Sequence, residues 1–299
     1  MKRQIFRGTG TALVTPFRAD DTSIDFVSLR AHVEHQISAG VEALIPLGST
    51  GEGATLDYEE KLSLIDFILG VASKRAKVVA GTGTNDTQTT VKLTREAAAL
   101  GITAALVVSP YYNKPTPEGL VRHFQAIANA TDVPLILYNV PSRTGSNLSA
   151  ETTLRLAEEI PSLVAIKEAS GNIEQVMEII RNKPEGFCVL SGEDSLTLPI
   201  IASGGDGVIA VVSNEAPALF SGMVRDALAG DYGKARAAHY ALLPLMRANF
   251  LESNPIPVKS ALAMMGVIPE VLRLPLTPLS ERHRPALRAA LQTAGIVLP

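Results

Sequence analysis

The stretch "SLVAIKEASGN", residues 162–172, contains the pattern that decides the fold. An unbroken apolar run over 163–166 predicts a short buried strand that ends at Lys167, and a helix-like segment follows over 172–181. A strand without alternating polar residues is typical of a parallel sheet that is covered on both faces. The unit of one strand and one helix therefore predicts an α/β protein.

The same unit recurs eight times along the chain. One helix between successive strands predicts parallel pairing, because a parallel crossover needs a segment of this length. The candidate strands span 10–15, 43–47, 77–81, 104–109, 135–139, 163–167, 188–191 and 207–212. The candidate helices span 26–39, 57–75, 87–100, 118–131, 149–160, 172–181, 195–203 and about 217–229. Eight such units predict a closed (β/α)8 barrel, the TIM barrel.

An open, doubly wound sheet is the alternative architecture. Such a sheet usually binds its ligand at one point, where the strand order reverses, whereas here polar residues follow many strands. After about residue 229 the strands stop and three helical segments follow. We therefore predict a catalytic barrel domain over 1–229 and a C-terminal α-helical domain over 230–299 that packs on it.

Composition and charge limit the possible partners. The 299 residues are 46% hydrophobic, with a formal net charge of -3, which indicates a large core and no affinity for nucleic acid or anionic membranes. The single cysteine, Cys188, excludes an intramolecular disulfide. No signal-peptide pattern follows the basic N-terminus, and no apolar run approaches the ~18 residues of a spanning helix. We expect a cytoplasmic protein that binds neither nucleic acid nor membrane.

Lys167 is the first candidate for chemistry. Active sites of (β/α)8 barrels lie at the C-terminal ends of the strands, and Lys167 alone among ten lysines closes an apolar strand-like run. Burial disfavours an ammonium ion, and a neutral amine is a nucleophile towards carbonyl groups. The alternative is a structural lysine that reaches solvent or pairs with Glu168, although neighbours on a strand point to opposite faces.

Tyrosines and an arginine follow two other strands. In "YNVPSRTG", residues 138–145, Tyr138 closes a strand and Arg143 lies in a tight loop, where its planar fork suits a carboxylate. The alternative for Arg143 is an ordinary surface position. The stretch "PYYNKP", residues 110–115, contributes Tyr111 and Tyr112, which are candidates either for the site or for packing.

The loop "GSTGEG", residues 48–53, follows the second strand. The hydroxyl groups of Ser49 and Thr50, together with free backbone N–H groups, suit a carboxylate or a phosphate. The loop lacks the lysine and the spacing of known phosphate-binding motifs. The only histidine pair with a metal-like spacing, His32 and His35, lies on a predicted surface helix and is expected to be solvated, so we predict no metal site.

Taken together and in order, these motifs resemble one enzyme family. The stretches "GSTGE", "GTGTN", "PYYNKP", "LYNVPSRTG", "IKEASGN", "LSGED", "GVIAV", "NPIPVK" and "LRLPLTPLS" look like dihydrodipicolinate synthase, also called 4-hydroxy-tetrahydrodipicolinate synthase. That family belongs to the pyruvate-dependent, lysine-type class I aldolases. The resemblance runs from about Gly8 to the C-terminus. It implies a (β/α)8 barrel with a C-terminal helical domain, a cytoplasmic lyase, and a homotetramer built as a dimer of dimers.

The resemblance also implies the reaction and the residues that perform it. Pyruvate condenses with L-aspartate 4-semialdehyde at the start of diaminopimelate and lysine biosynthesis, without a metal or an organic cofactor. Lys167 would form the Schiff base with pyruvate, and Tyr138 would carry protons beside it. Thr50 would link Tyr138 to Tyr112, which in the family reaches in from the neighbouring subunit.

The remaining roles that the resemblance implies concern substrate binding. Arg143 would receive the carboxylate of the semialdehyde and steady Tyr138. Ser49, Thr50 and Ile209 would line the pyruvate pocket. The family commonly has threonine where this chain has Ser49, so the hydroxyl is retained but the side chain is less restricted.

Two other functions stay open at this point. The first is another pyruvate-dependent class I aldolase, such as a sugar-acid aldolase or an N-acetylneuraminate lyase, since the latter share "GSTGE"; Arg143 and "PYYN" argue against it. The second is a barrel that binds ligands without catalysis, against which the presence of all the candidate residues argues.

Inhibition by lysine is a further expectation from the resemblance. Lysine-inhibited members bind lysine at the dimer interface, and Asn85 and Tyr111 match their pattern. The chain departs from that pattern at four positions: Gly53, Tyr58, Lys61 and Thr89. Lys61 adds a cation, and Thr89 replaces a carboxylate of the inhibited members. Both changes disfavour a cationic ligand, so we expect inhibition by lysine to be weak or absent.

Overall fold

The computed structural model describes residues 5–299, in which eight parallel strands form a closed barrel with β1 next to β8. Residues 1–4, on which part of the signal-peptide argument rests, lie outside the described residues. The strands are β1 Gly8–Ala12, β2 Ala43–Ile45, β3 Lys77–Gly81, β4 Ala104–Val108, β5 Leu135–Asn139, β6 Leu163–Glu168, β7 Cys188–Ser191 and β8 Gly207–Ala210. The predicted (β/α)8 barrel is confirmed, with strand ends that move by one to three residues.

Helices connect the strands and continue after the last one. They are α1 Phe26–Ser38, α2 Tyr58–Ala72, α3 Thr87–Leu100, α4 Pro117–Ala128, α5 Pro141–Thr144, α6 Ala150–Glu159, α7 Ile173–Asn182, α8 Thr197–Ala202, α9 Pro217–Leu228, α10 Tyr232–Ala248, α11 Ile256–Met264 and α12 Arg284–Thr293. The C-terminal helices α10 to α12 follow β8 as predicted. None of the helices within 5–299 is long and apolar enough to span a membrane.

Local sequence explains where several helices begin. Asp57 and Glu60 form a reciprocal capping box at α2: the Asp57 carboxylate accepts the Glu60 N–H at 2.8 Å, and the Glu60 carboxylate accepts the Asp57 N–H at 2.9 Å. Such a box satisfies backbone donors that a helix start leaves unpaired. At α6 the cap is one-sided: the Ser149 hydroxyl accepts the Thr152 N–H.

The C-terminal helices share a core with the last part of the barrel. One hydrophobic cluster joins Val208 of β8 and Phe220 of α9 to Leu242 of α10 and Leu287 of α12, all fully buried. A continuous apolar contact of this kind fixes the C-terminal segment against the barrel. The division of the chain at residues 229 and 230 stays a prediction.

The register between β5 and β6 determines which side chains enter the barrel. Tyr138 pairs with Lys167, and Asn139 pairs with Glu168. Because side chains alternate along a strand, Tyr138 and Lys167 face the interior while Asn139 and Glu168 face the helices. The Asn139 amide donates to the Glu168 carboxylate at 2.9 Å. The alternative in which Glu168 pairs with Lys167 is therefore wrong.

Two details differ from the sequence-based expectations. The predicted tight loop after β5 is a single helical turn, α5, which ends at Gly145 in the left-handed conformation (φ +69°). His32 is fully buried rather than solvated, and its Nε2 lies 3.0 Å from the Asn214 side-chain oxygen. Its helix covers the barrel, and the periodicity of α1 places this histidine on the covered face.

Candidate active site

A cavity opens at the C-terminal ends of the barrel strands, which is the end predicted for chemistry. It brings together five of the predicted residues: Ser49, Thr50, Tyr138, Arg143 and Lys167. Gly192 and Glu193 after β7, Val211 after β8, and Phe250 and Asn254 from the C-terminal segment also line it. The walls therefore come from both parts of the chain.

Lys167 and Tyr138 form the floor of this cavity. Lys167 is 7% exposed and Tyr138 is 8% exposed, so both are held in an apolar environment at the barrel mouth. The Lys167 Nζ lies 4.4 Å from the centre of the Tyr138 ring. The strand register positions both side chains, because β5 and β6 are paired directly at these two residues.

Asn254 connects two of the predicted residues and was missed as a site residue. Its side-chain amide donates to the Thr50 hydroxyl at 2.9 Å, and its backbone carbonyl accepts from the Arg143 guanidinium at 3.0 Å. Its own side-chain oxygen is buried and has no hydrogen-bond partner among residues 5–299. The motif "NPIPVK", 254–259, was the available signal, but nothing in its local sequence assigns it a contact.

A buried ion pair holds the glycine loop, 48–53, that carries Ser49 and Thr50. The Lys259 ammonium contacts the Glu52 carboxylate at 2.6 Å, and neither side chain is exposed. Lys259 also donates to the Thr15 carbonyl at 2.9 Å, and the Thr15 hydroxyl donates to the Gly51 carbonyl at 2.7 Å. Helix α11 thus holds the loop through residues that follow the C-terminal ends of β1 and β2.

Acidic side chains lie on the β7 side of the cavity. Burial, and next the charge of Asp194, raise the pKa of Glu193. Asp194 is buried and accepts the N–H groups of Val211 and Val212; burial raises its pKa to about 6 despite these bonds. Asp194 thereby fixes the end of β8, while the side chain of Glu193 borders the cavity.

Tyr112 and Ile209 are not among the residues that line this cavity. Tyr112 is 89% exposed and has a left-handed backbone (φ +71°), which is strained for a tyrosine. Ile209 is buried in the barrel interior, in the cluster that includes Tyr138. The hydroxyl relay from Tyr138 through Thr50 to Tyr112 is not formed among residues 5–299, and it stays a prediction that needs a second subunit.

The positions expected to decide lysine inhibition fall in two places. Gly53, Lys61 and Tyr111 line a second cavity, which shares Tyr138 and Arg143 with the first. Tyr58 lies apart from that lining; burial, and next the neighbouring Glu96 carboxylate, raise its pKa to about 12. No group of three possible metal ligands occurs within 5–299.

Comparisons with known proteins identify the family of the chain. The model of the dihydrodipicolinate synthetase family matches residues 5–294. The chain is 51% identical to a 4-hydroxy-tetrahydrodipicolinate synthase from Koribacter versatilis, over 97% of each chain, and 47% identical to one from Prosthecochloris aestuarii, over 99% of this chain and 100% of the other. These identities extend through both the barrel and the C-terminal helices.

Solved structures agree as well. A dihydrodipicolinate synthase from Aquifex aeolicus superimposes with a TM-score of 0.95 at 43% identity, over 98% of this chain and 99% of the other. A structure described as the first monomeric dihydrodipicolinate synthase variant gives a TM-score of 0.96 at 43% identity, over 98% of each chain. The expected fold, family and enzyme class are confirmed: the chain belongs to the dihydrodipicolinate synthetase family, whose members are lyases of the class I aldolase type.

Proposed function

We propose that the protein is a 4-hydroxy-tetrahydrodipicolinate synthase that condenses pyruvate with L-aspartate 4-semialdehyde through a Schiff base. The observation that carries this proposal is the position of Lys167, buried at the barrel mouth beside Tyr138 and in one cavity with Arg143. An amine in that position is buried and borders a cavity that a carbonyl compound can enter.

The reaction begins at the Lys167 amine. It attacks the keto carbon of pyruvate, and loss of water gives an imine whose protonated nitrogen attracts electrons. The methyl group then loses a proton to give an enamine, which attacks the aldehyde carbon of the second substrate. The amino group of the second substrate, as a neutral amine, then attacks the imine carbon; this closes a ring, breaks the bond to the Lys167 nitrogen, which takes up a proton, and restores the free lysine. Each step moves a proton, and we assign this role to the hydroxyl of Tyr138, which is paired with Lys167 on the adjacent strand.

Ser49 and Thr50 receive the carboxylate of pyruvate. The Thr50 oxygen accepts a hydrogen bond from the Asn254 amide, so its own proton is available to donate. It donates either to the pyruvate carboxylate or to the oxygen of Tyr138 during proton transfer. The Ser49 hydroxyl borders the same cavity from the same loop.

Arg143 receives the carboxylate of the semialdehyde. One of its nitrogens is held by the Asn254 carbonyl, which orients the guanidinium and leaves its other donors for a ligand. A planar, permanently charged fork binds a carboxylate with two parallel hydrogen bonds. Each substrate brings one carboxylate into the site, and Arg143 supplies the permanent positive charge for that of the semialdehyde.

The assembly and cellular context are part of the proposal. We place the enzyme in the cytoplasm, in diaminopimelate and lysine biosynthesis, as a homotetramer in which Tyr112 of one subunit completes the neighbouring site. The strained, exposed backbone of Tyr112 supports this, since such strain is found where a surrounding structure uses it. Sedimentation at several protein concentrations tests the assembly.

Borohydride trapping tests the function. The purified protein is incubated with pyruvate, reduced with borohydride, digested and analysed by mass spectrometry, and we expect one adduct on Lys167. Lys183→Ala is the matched control, because Lys183 lies near the surface in an ion pair with Asp206 and should leave the adduct intact. Absence of an adduct excludes Schiff-base catalysis. Turnover of sugar acids without turnover of aspartate semialdehyde shows a different aldolase.

A further inference from the structure

Glu193 is the one acidic side chain that lines the cavity, as far as residues 5–299 show. Its carboxylate borders the same space as Lys167 and Arg143, and the charges of both act on it. Within the described chain, no hydrogen bond or ion pair to this carboxylate is formed. A carboxylate that borders a cavity and has no partner in the described chain is available to a cationic group of a ligand.

Hydrogen bonds fix the backbone of Glu193, so the residue has a defined place on the cavity wall. The Ser191 hydroxyl lies 3.2 Å from the Glu193 N–H and 2.8 Å from the Glu193 carbonyl oxygen, to which it donates. The Thr197 hydroxyl donates to the same carbonyl at 3.1 Å. The adjacent Asp194 is fully occupied by the end of β8. Glu193 is therefore held at the cavity wall while its carboxylate is left for another partner.

The second substrate has the complementary charge. L-aspartate 4-semialdehyde carries a carboxylate and an ammonium group on one carbon atom, so the groups that bind them must be neighbours. Arg143 and Glu193 line one cavity and offer a guanidinium and a carboxylate. A cation and an anion on the wall of one cavity match the head group of an α-amino acid, and the charge-assisted bonds they form are the strong kind.

We propose that Glu193 determines the specificity of this site for an aldehyde with an α-ammonium group, which it binds while Arg143 binds the α-carboxylate. This inference rests on the proposed function, since it concerns the second substrate of that reaction. It also explains how the site distinguishes this aldehyde from sugar-derived aldehydes and from simple aldehyde acids, neither of which carries the ammonium group.

The test compares two aldehydes in Glu193→Gln. The first is L-aspartate 4-semialdehyde, and the second is 4-oxobutanoate, which has the same aldehyde and carboxylate but no ammonium group and is measured as a competitive inhibitor. We expect the KM for the semialdehyde to rise by about 10- to 100-fold, the effect of losing a charged hydrogen bond. The inhibition constant of 4-oxobutanoate should change by less than about threefold, because that ligand never used the carboxylate.

Pyruvate provides the internal control. Its KM and the borohydride adduct on Lys167 should be as in the unmodified enzyme, which also shows that the variant is folded. Where Glu193→Gln fails this control, Glu193→Asp is used instead. Aspartate keeps the negative charge, but its shorter side chain holds the carboxylate farther from the ligand, so the KM for the semialdehyde alone should rise.

The inference is overturned if the KM for the semialdehyde and the inhibition constant of 4-oxobutanoate rise by similar factors. It is also overturned if kcat falls while the KM for the semialdehyde is unchanged. Failure of the unmodified enzyme to use the semialdehyde contradicts the proposed function instead.

Discussion

Tyr138 and Lys167 are paired residues on adjacent strands, and the lysine nitrogen lies 4.4 Å from the centre of the tyrosine ring. Tyr138 therefore has two separable contributions in the proposed reaction: the face of its ring packs against the amine, and its hydroxyl is the proposed proton carrier. Tyr138→Phe removes the second and keeps the first.

Tyr138→Phe should lower kcat by about 10²- to 10⁴-fold, the usual contribution of a positioned acid–base group. Borohydride should still trap pyruvate on the variant, more slowly, because the amine and its apolar surroundings remain. The control is Tyr240→Phe, which changes an exposed tyrosine on α10 and should leave kcat unchanged. A variant with full kcat would assign proton transfer to another group.

Asn254→Asp tests the connection between the C-terminal segment and the site. Aspartate keeps the shape of the side chain but cannot donate to the Thr50 oxygen. The Thr50 hydroxyl then donates to the new carboxylate, and its proton is no longer available to the substrate or to Tyr138. We expect kcat/KM for pyruvate to fall by about tenfold or more, as for a lost hydrogen bond to a charged group. Asn129→Asp, on the exposed end of α4, should have no effect. Unchanged kinetics for Asn254→Asp would show that this bond is structural only.

The contrast between Lys167 and Asn254 shows how much could be predicted from the sequence. Apolar runs that end in polar residues predict a barrel, because the strand ends of a barrel converge, and Lys167, Tyr138, Arg143, Ser49 and Thr50 do converge. Asn254 follows no strand. It reaches the site because helices pack, and tertiary packing of this kind leaves no periodic signal in the local sequence.

Lys259→Met should reduce the free energy of unfolding by about 3–5 kcal/mol, because it leaves the Glu52 carboxylate buried without its partner. Adding Glu52→Gln should recover much of that loss, since glutamine carries no charge and its oxygen can still accept the Arg273 N–H. Denaturant unfolding at fixed protein concentration measures both. Lys234→Met, which breaks an exposed pair with Asp231, is the control. If Lys259→Met and the double variant with Glu52→Gln lose the same free energy of unfolding, the unpaired charge of Glu52 is not the cause of the loss.

His32 should make the protein less stable in acid. Burial lowers the pKa of His32 to about 4, against an opposing hydrogen bond with Asn214. Between about pH 6.5 and 4 the unfolded chain therefore binds a proton that the folded chain does not, and the free energy of unfolding falls as the pH is lowered through this window. The loss approaches about 3 kcal/mol at its lower end.

Glutamine at this position removes the titration, so unfolding curves of His32→Gln between pH 7 and 4 should show a shallower slope. His35→Gln, on the exposed face of the same helix, should keep the original slope. Identical slopes for the unmodified protein and His32→Gln would mean that another group titrates in this window.

Lysine should inhibit the enzyme weakly or not at all below ~1 mM, the upper range of ordinary metabolite binding. Lys61 places a cation in the second cavity, beside Gly53 and Tyr111, and like charges there disfavour a ligand that carries an ammonium group. The double variant Lys61→His with Thr89→Glu removes one positive charge and adds a carboxylate, so it should become more sensitive to L-lysine in a steady-state assay. Lys74→His changes a lysine that is exposed at the end of α2 and should change nothing. Steep inhibition of the unmodified enzyme below ~1 mM would show that lysine binds through groups other than these.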